Sequence, residues 1–296
     1  WLNQLNQTPP AGGVAETTVS SSPLGSASAT AATSSQSSTS TVGTPDLNPG
    51  EPPMPQTYAE VDRMLKTNPL YSQSLPPTSC SIADIDLTRA SITQIELHLN
   101  TFVDCLMATW RPPVIGAGFE LPHPSVTVYA RETTSACGAL PMENAVYCSA
   151  DQQIYFARDL IDAFPHNYQT MRFMAEAVLA HEFGHTVQYR TMILISETVL
   201  QEDATTKAAE NDLSRRLEMQ ADCFAGLFFN AVAVSTELTN DDRQNITGLY
   251  TTLGGTTAYS DDHGTGANRA HWLGQGLMST TPSSCSTFTA AASSVG

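Results

Sequence analysis

Five consecutive residues, His181-Glu182-Phe183-Gly184-His185, constrain the fold of this chain more than any other stretch. Residues four apart lie on one face of an α-helix, so His181 and His185 can aim both imidazoles at one point only if the segment is helical. Glu182 then stands beside that point. Two imidazoles with an adjacent carboxylate suit a divalent metal ion and a proton acceptor for the water bound to it. Upstream, Phe173, Met174, Ala177 and Val178 give the same helix an apolar side, and the spacing predicts one long helix from Met171 to Tyr189.

Two histidines do not complete a catalytic zinc site, which takes three protein ligands plus water. One class of zinc peptidases extends the motif to HExxHxxGxxH. Here those two further positions are Gln188 and Thr191, which excludes that class. A carboxylate on a later helix is the alternative, and a second long helix is expected between Thr205 and Ala233. Within it Glu218 and Asp222 lie four apart on one face, while Leu217, Ala221, Phe224 and Phe228 form an apolar face. Glu218 is the candidate third ligand, and Asp222 the candidate acceptor for the free ring N–H of a ligating histidine. The plainer reading pairs both acids with Arg215 and Arg216 on a solvated face; the upstream motif favours the metal.

Four separated stretches carry a family resemblance. They are Ser135-Ala136-Cys137-Gly138 with Tyr147-Cys148, the HEFGH motif with Val187-Gln188, the run Glu218 to Gly226, and His263-Gly264-Thr265 with Arg269 and Trp272. Together they resemble the bacterial neutral zinc metallopeptidase family over most of the expected folded part. The resemblance implies a zinc-dependent endopeptidase with one catalytic zinc ion, a glutamate as third ligand in the gluzincin manner, and a peptide or protein substrate of unspecified sequence. It agrees with the independent reading of Glu218. Thr186 stands where the family usually has a second histidine, a position that holds no proposed ligand.

In similar zinc peptidases an edge strand upstream of the active-site helix receives the substrate through main-chain hydrogen bonds. The segment Gln153-Ile154-Tyr155-Phe156 is the candidate, with Ile154 and Tyr155 as substrate-binding residues; an ordinary core strand is the alternative. His263, in a Gly-rich loop, is a candidate for stabilising the oxyanion, or else a structural histidine satisfied by Asp262. Arg269 is expected to pair with Asp261 or Asp262. His98, His123, His166 and His271 read as surface or packing residues. A rival to the enzyme is a catalytically silent, zinc-bearing extracytoplasmic binding module, which would have no need of Glu182.

Charge and cysteine content narrow the setting. The chain has 13 Lys plus Arg against 29 Asp plus Glu, net −16, which argues against nucleic-acid binding through a basic surface. No apolar run is long enough to span a bilayer, although an anchor removed ahead of Trp1 is compatible with the sequence. None of the six cysteines sits in a CxxC pair, so disulfides and an extracytoplasmic location (secreted, or tethered to the cell surface) are expected. Nearest neighbours give Cys80–Cys105 and Cys137–Cys148, leaving Cys223 to join Cys285.

Residues 1–57, rich in Ser, Thr, Ala and Pro, read as a disordered stalk or linker, and 58–296 as the zinc metallopeptidase domain with a frayed end from Ser286. The domain is expected to be α+β and zincin-like. A short helix capped by Thr57 runs through Leu65, and a longer one from Thr88 to Trp110 ends at Arg111-Pro112-Pro113. Strands at Ser125–Tyr129, Ala145–Cys148 and Gln153–Phe156 form a small, mostly antiparallel sheet packed on a helical body.

Overall fold

The computed structural model describes residues 43–254 and 262–296. Most of the expected stalk, residues 1–42, and Asp261 lie outside the described residues. Helix α1 (Tyr58–Lys66) starts where Thr57 accepts a hydrogen bond from the backbone of Glu60. Helix α2 (Ile92–Gly116) begins with a Ser91–Gln94 capping box. It does not stop at Trp110. Pro112 and Pro113 cost two backbone donors, but their fixed φ is helical. The extra turn buries Pro113 and Val114 beside Trp110 and closes with Ala117 N donating to Pro113 O at 2.9 Å.

Strands β1 (Val126–Tyr129), β4 (Ala145–Cys148) and β5 (Gln153–Ala157) form one sheet in the order β1-β5-β4. Strand β5 pairs parallel with β1 and antiparallel with β4, so this sheet is mixed rather than mostly antiparallel. A separate hairpin joins β2 (Thr133–Ser135) to β3 (Gly138–Leu140). The tight turn after Cys148, with Gln152 at φ 57°, folds β5 back between β4 and β1. Ile154 and Tyr155 are therefore on the middle strand, hydrogen-bonded on both sides, and cannot offer a peptide the edge expected of them. Strand β4 is the edge on the side of the helical body.

That body comprises α3 (His166–Gln169), α4 (Met174–Arg190), α5 (Ile193–Glu202), α6 (Lys207–Val232), α7 (Asn240–Thr251) and α8 (Gly266–Leu277). Helix α4, which carries HEFGH, packs against α2, β4, α5, α6 and α7. It is buried on every side rather than on one apolar face. Its entry and exit are marked by buried non-glycine residues in left-handed conformation, Phe173 and Met192, both at φ 65°. Glycines set how closely its neighbours approach. A Cβ on Gly184 would lie 3.1 Å from Ala221 Cα of α6. Between α6 and α8, a Cβ on Gly276 would lie 2.0 Å from Cys223 O, and one on Gly226 2.2 Å from Leu273 O.

Both ends of the described domain differ from expectation. Residues 43–57 are laid against the body. Gly43 N donates to Asp104, Gln153 to Asp46 O, Arg190 to Gly50 O, and Tyr189 to Glu51, while Pro52 is buried. The C-terminal residues are packed rather than frayed. Thr287, Phe288 and Val295 are buried, Arg216 donates to the carbonyls of Thr287 and Ala290, and Trp272 donates to Ser294 O. These partners are more than twenty residues away in sequence, so a small, polar composition gave no sign of them. Disulfides join Cys80 to Cys105, Cys137 to Cys148 and Cys223 to Cys285, fastening a loop to α2, the hairpin to β4, and α6 to the C-terminal segment.

The α6–α8 contact gives a paired expectation for stability. Gly276→Ala drives a methyl into backbone and should cost about 1–3 kcal/mol or more. Gly274→Ala, on the same helix with nothing within 4 Å of the new methyl, should gain up to about 1 kcal/mol. Urea midpoints of the two variants against the parent measure the difference.

Candidate metal centre

Helices α4 and α6 cross at the Gly184–Ala221 contact, which brings His181 and His185 of one helix against Glu218 of the other. His181 Nε2 is 3.2 Å from His185 Nε2 and 3.2 Å from Glu218 Oε2; His185 Nε2 is 3.4 Å from Glu218 Oε1. All three residues are buried. The two rings approach different oxygens of the carboxylate, and one ligand atom from each of the three residues lies within 4.8 Å of the others, close enough to share one metal ion.

The hydrogen bonds behind the rings fix what faces inward. His181 Nδ1 is 2.7 Å from Asp222 Oδ1, and His185 Nδ1 is 2.8 Å from Gln188 Oε1. Each partner oxygen is an acceptor, so each Nδ1 carries a proton and each ring turns its Nε2 toward the other and toward a carboxylate. Glu218 Oε2, buried, accepts no hydrogen bond. The Nε2 atoms of both rings and the Glu218 carboxylate converge on one buried point, an arrangement that a metal cation satisfies once it has displaced any proton held there. The two rings meet edge to face, with centroids 4.8 Å apart.

Electrostatics point the same way. Burial alone would lower His181, but Asp222 and Glu218 outweigh it and raise His181 to about 10. Burial would raise Glu218, yet the facing His185 and His181 hold its carboxyl well below the usual range. Asp222 would likewise be raised by burial and is instead lowered, first by Arg269 and then by His181. Arg269 grips Asp222 with two hydrogen bonds, Nε to Oδ2 at 2.8 Å and Nη2 to Oδ1 at 2.7 Å, and its Nη2 stands 3.4 Å from His181 Nδ1. Arg269 thus pairs with the very aspartate that supports His181 rather than with Asp262, while Asp261 lies outside the described residues. Arg215 and Arg216 are within ion-pair distance of Asp212, not of Glu218 or Asp222.

Glu182 is fully buried beside this cluster. Its Oε2 accepts from the backbone N–H of Tyr147 at 2.8 Å, while Oε1 has no hydrogen-bond partner. Burial raises its pKa, although the neighbouring histidines oppose the shift. One oxygen is therefore anchored to the edge strand β4 and the other is free to take a proton. Strand β5 lies one strand further from α4, and the Tyr155 hydroxyl is engaged by Asp151 at 2.7 Å. His263 is buried, with Nδ1 2.6 Å from Asp262. The adjoining Gly264 packs on α6, where a Cβ would come within 2.3 Å of Met219 Cε. His98 and His123 are taken up by Glu176 and Asp104, and His166 and His271 are exposed.

Three contributors were not assigned these roles from sequence: Gln188, Arg269 and the main chain of Tyr147. Gln188 follows His185 by three residues, a helical neighbour that could have been noticed. Arg269 lies 47 residues from Asp222, and only its place in the family resemblance marked it.

The chain matches the family model described as "Putative neutral zinc metallopeptidase" over residues 86–288. It is 30% identical over 220 residues to the uncharacterized protein YpfJ of Escherichia coli K12, covering 67% of this chain and 74% of that one. It is 27% identical over 223 residues to the uncharacterized protein Mb2605 of Mycobacterium bovis, covering 65% of this chain and 73% of that one. No solved structure matches the chain.

Two outcomes follow from the charges around Asp222 and His181. Arg269→Leu leaves Asp222 buried without its cation and should destabilise the protein by about 3–5 kcal/mol, read from chemical denaturation. A metal ion must displace the proton that His181 retains up to about pH 10. Apparent zinc affinity should therefore rise on the alkaline side of neutrality, by about tenfold per pH unit, in competition with a chromophoric chelator.

Proposed function

The chain belongs to the neutral zinc metallopeptidase family, and from that premise we propose that it is a zinc-dependent endopeptidase. The observation that carries this reading is the buried convergence of His181, His185 and Glu218 beside a carboxylate with one free oxygen, Glu182. We take His181, His185 and Glu218 as the ligands of a single zinc ion, which when bound would polarise a scissile carbonyl and acidify a water molecule. Asp222 and Arg269 hold the His181 ring in place. Glu182 acts as general base, taking the proton of the attacking water on Oε1, and as general acid returns it to the leaving amine. Its raised pKa suits a group that must both accept and release a proton near neutrality.

His263 is proposed to stabilise the developing oxyanion, supported by its burial and by the closeness of its loop to α6 at Met219. The extended substrate is proposed to lie along β4, the strand whose Tyr147 N–H already holds Glu182. The overall architecture is proposed to be zincin-like. Three disulfides and the absence of any helix long and apolar enough to cross a membrane among the described residues accord with a proposed extracytoplasmic location.

Cleavage of a diverse peptide mixture by the full chain, as isolated, after chelation and after zinc is restored, tests the reaction. Chelation should abolish cleavage and zinc restore it; a zinc-loaded, folded protein that cleaves nothing would favour the silent binding module. Glu182→Gln should keep zinc while losing about 10²–10⁴-fold in turnover.

A further inference from the structure

The two imidazoles of the centre are oriented by unlike partners. His181 donates to an anion, Asp222, whereas His185 donates to a neutral amide, Gln188. A glutamine side chain is ambiguous by itself. It offers an acceptor at one end and donors at the other, so either end could face His185, and each would impose a different tautomer. Only one of those tautomers leaves Nε2 bare.

The surroundings of Gln188 remove the ambiguity. Its nitrogen donates to Leu217 O at 2.8 Å and to Gln220 Oε1 at 3.2 Å. The nitrogen of Gln220 in turn donates to Cys285 O at 3.0 Å and to the Tyr71 hydroxyl at 2.8 Å, and Tyr71 donates to Leu65 O at 3.0 Å. Every branch ends on a backbone carbonyl, which can only accept. Working inward from Leu65, Cys285 and Leu217, each donor is assigned in turn, and the oxygen of Gln188 is the end left for His185. Gln188 and Gln220 are wholly buried, so no exchange with bulk water can reverse the direction. Reversing it would set the Gln188 oxygen against the Leu217 carbonyl oxygen and against Gln220 Oε1, acceptor facing acceptor.

We propose that Gln188, polarised by Gln220 and Tyr71, is a positioning residue that locks His185 as its Nδ1–H tautomer and so keeps Nε2 available to the metal. The proposal rests on reading His185 as a ligand. It also accounts for an amide rather than a second carboxylate behind this ring. Glu182, Glu218 and Asp222 are buried close by, and a fourth buried anion there would have no cation assigned to it. The chain of bonds draws on helix α1, the turn holding Tyr71, helix α6 and the residue bridged to Cys223, so the ring's state is set by parts of the protein distant in sequence.

The test uses the full chain with ¹⁵N-labelled histidine, freed of metal, and reads each ring by long-range ¹⁵N–¹H correlation; His185→Ala identifies the His185 signals. His185 should show a protonated Nδ1 and a bare Nε2. In Gln188→Leu, close in size but without an acceptor, His185 should become a mixture of tautomers while the His181 signals stay in place. Its zinc affinity, by competition with a chromophoric chelator, should fall about 10–100-fold. Gln188→Glu keeps an oxygen facing Nδ1 and should retain the Nδ1–H tautomer, although the added buried carboxylate should lower stability. A protonated Nε2 on His185 in the parent protein, which needs no variant to fold, would overturn the proposal. So would undiminished zinc binding by Gln188→Leu. If His185→Ala bound zinc as tightly as the parent, the ligand reading would fail together with the proposal, an outcome distinct from a silent Gln188→Leu.

Discussion

Two ring nitrogens and a carboxylate are crowded onto one buried point, and the molecule is organised around holding them there. A carboxylate and two imidazoles with their Nε2 and Oε atoms 3.2–3.4 Å apart would drift away in a loosely packed site. They are kept in place from behind. Asp222 and Arg269 brace one ring, Gln188 the other, and the close approach of α4 to α6 at Gly184 and Ala221 fixes the third group. Each brace is itself buried and bonded, so displacing a ligand means breaking contacts several residues deep.

This explains why α4 is enclosed on every side. An amphipathic surface helix could display two histidines, but solvent would screen Asp222 and Arg269 and would compete for Gln188. Burial strengthens these pairs while making any unpaired member costly. Glu182 is one exception, with one oxygen tied to Tyr147 and one left without a partner. An orphaned carboxylate oxygen in the interior is unfavourable for folding, a cost that accords with the proton-accepting role proposed for it.

What could be read from the sequence was what depends on local periodicity. His181, His185, Glu218 and Asp222 were legible because helical spacing alone puts each pair on one face, and the cap at Thr57 because it is a three-residue signal. What escaped depended on distant partners. Pro112 and Pro113 remain helical because Val114 and Pro113 find a core to enter, which no local rule reveals. Strand β5 reads alike whether central or at an edge, since position in a sheet is decided by what pairs beside it. The C-terminal segment looked too small and polar to pack, yet Arg216 and Trp272 donate to its carbonyls. Arg269 was recognised as an ion-pair former and assigned to its sequence neighbours, when its partner lay on another helix.

The segment from Gly43 to Thr57 meets the domain at a telling place. Gly50 and Glu51 are fastened to Arg190 and Tyr189, the last two residues of α4, the helix that bears both histidines. Load entering from the N-terminal side would be met first at Asp104 of α2 and Gln153 of β5, and only then at the C-terminal end of α4. A pull on that end would be shared by α2 and the sheet before it reached the helix that bears both histidines.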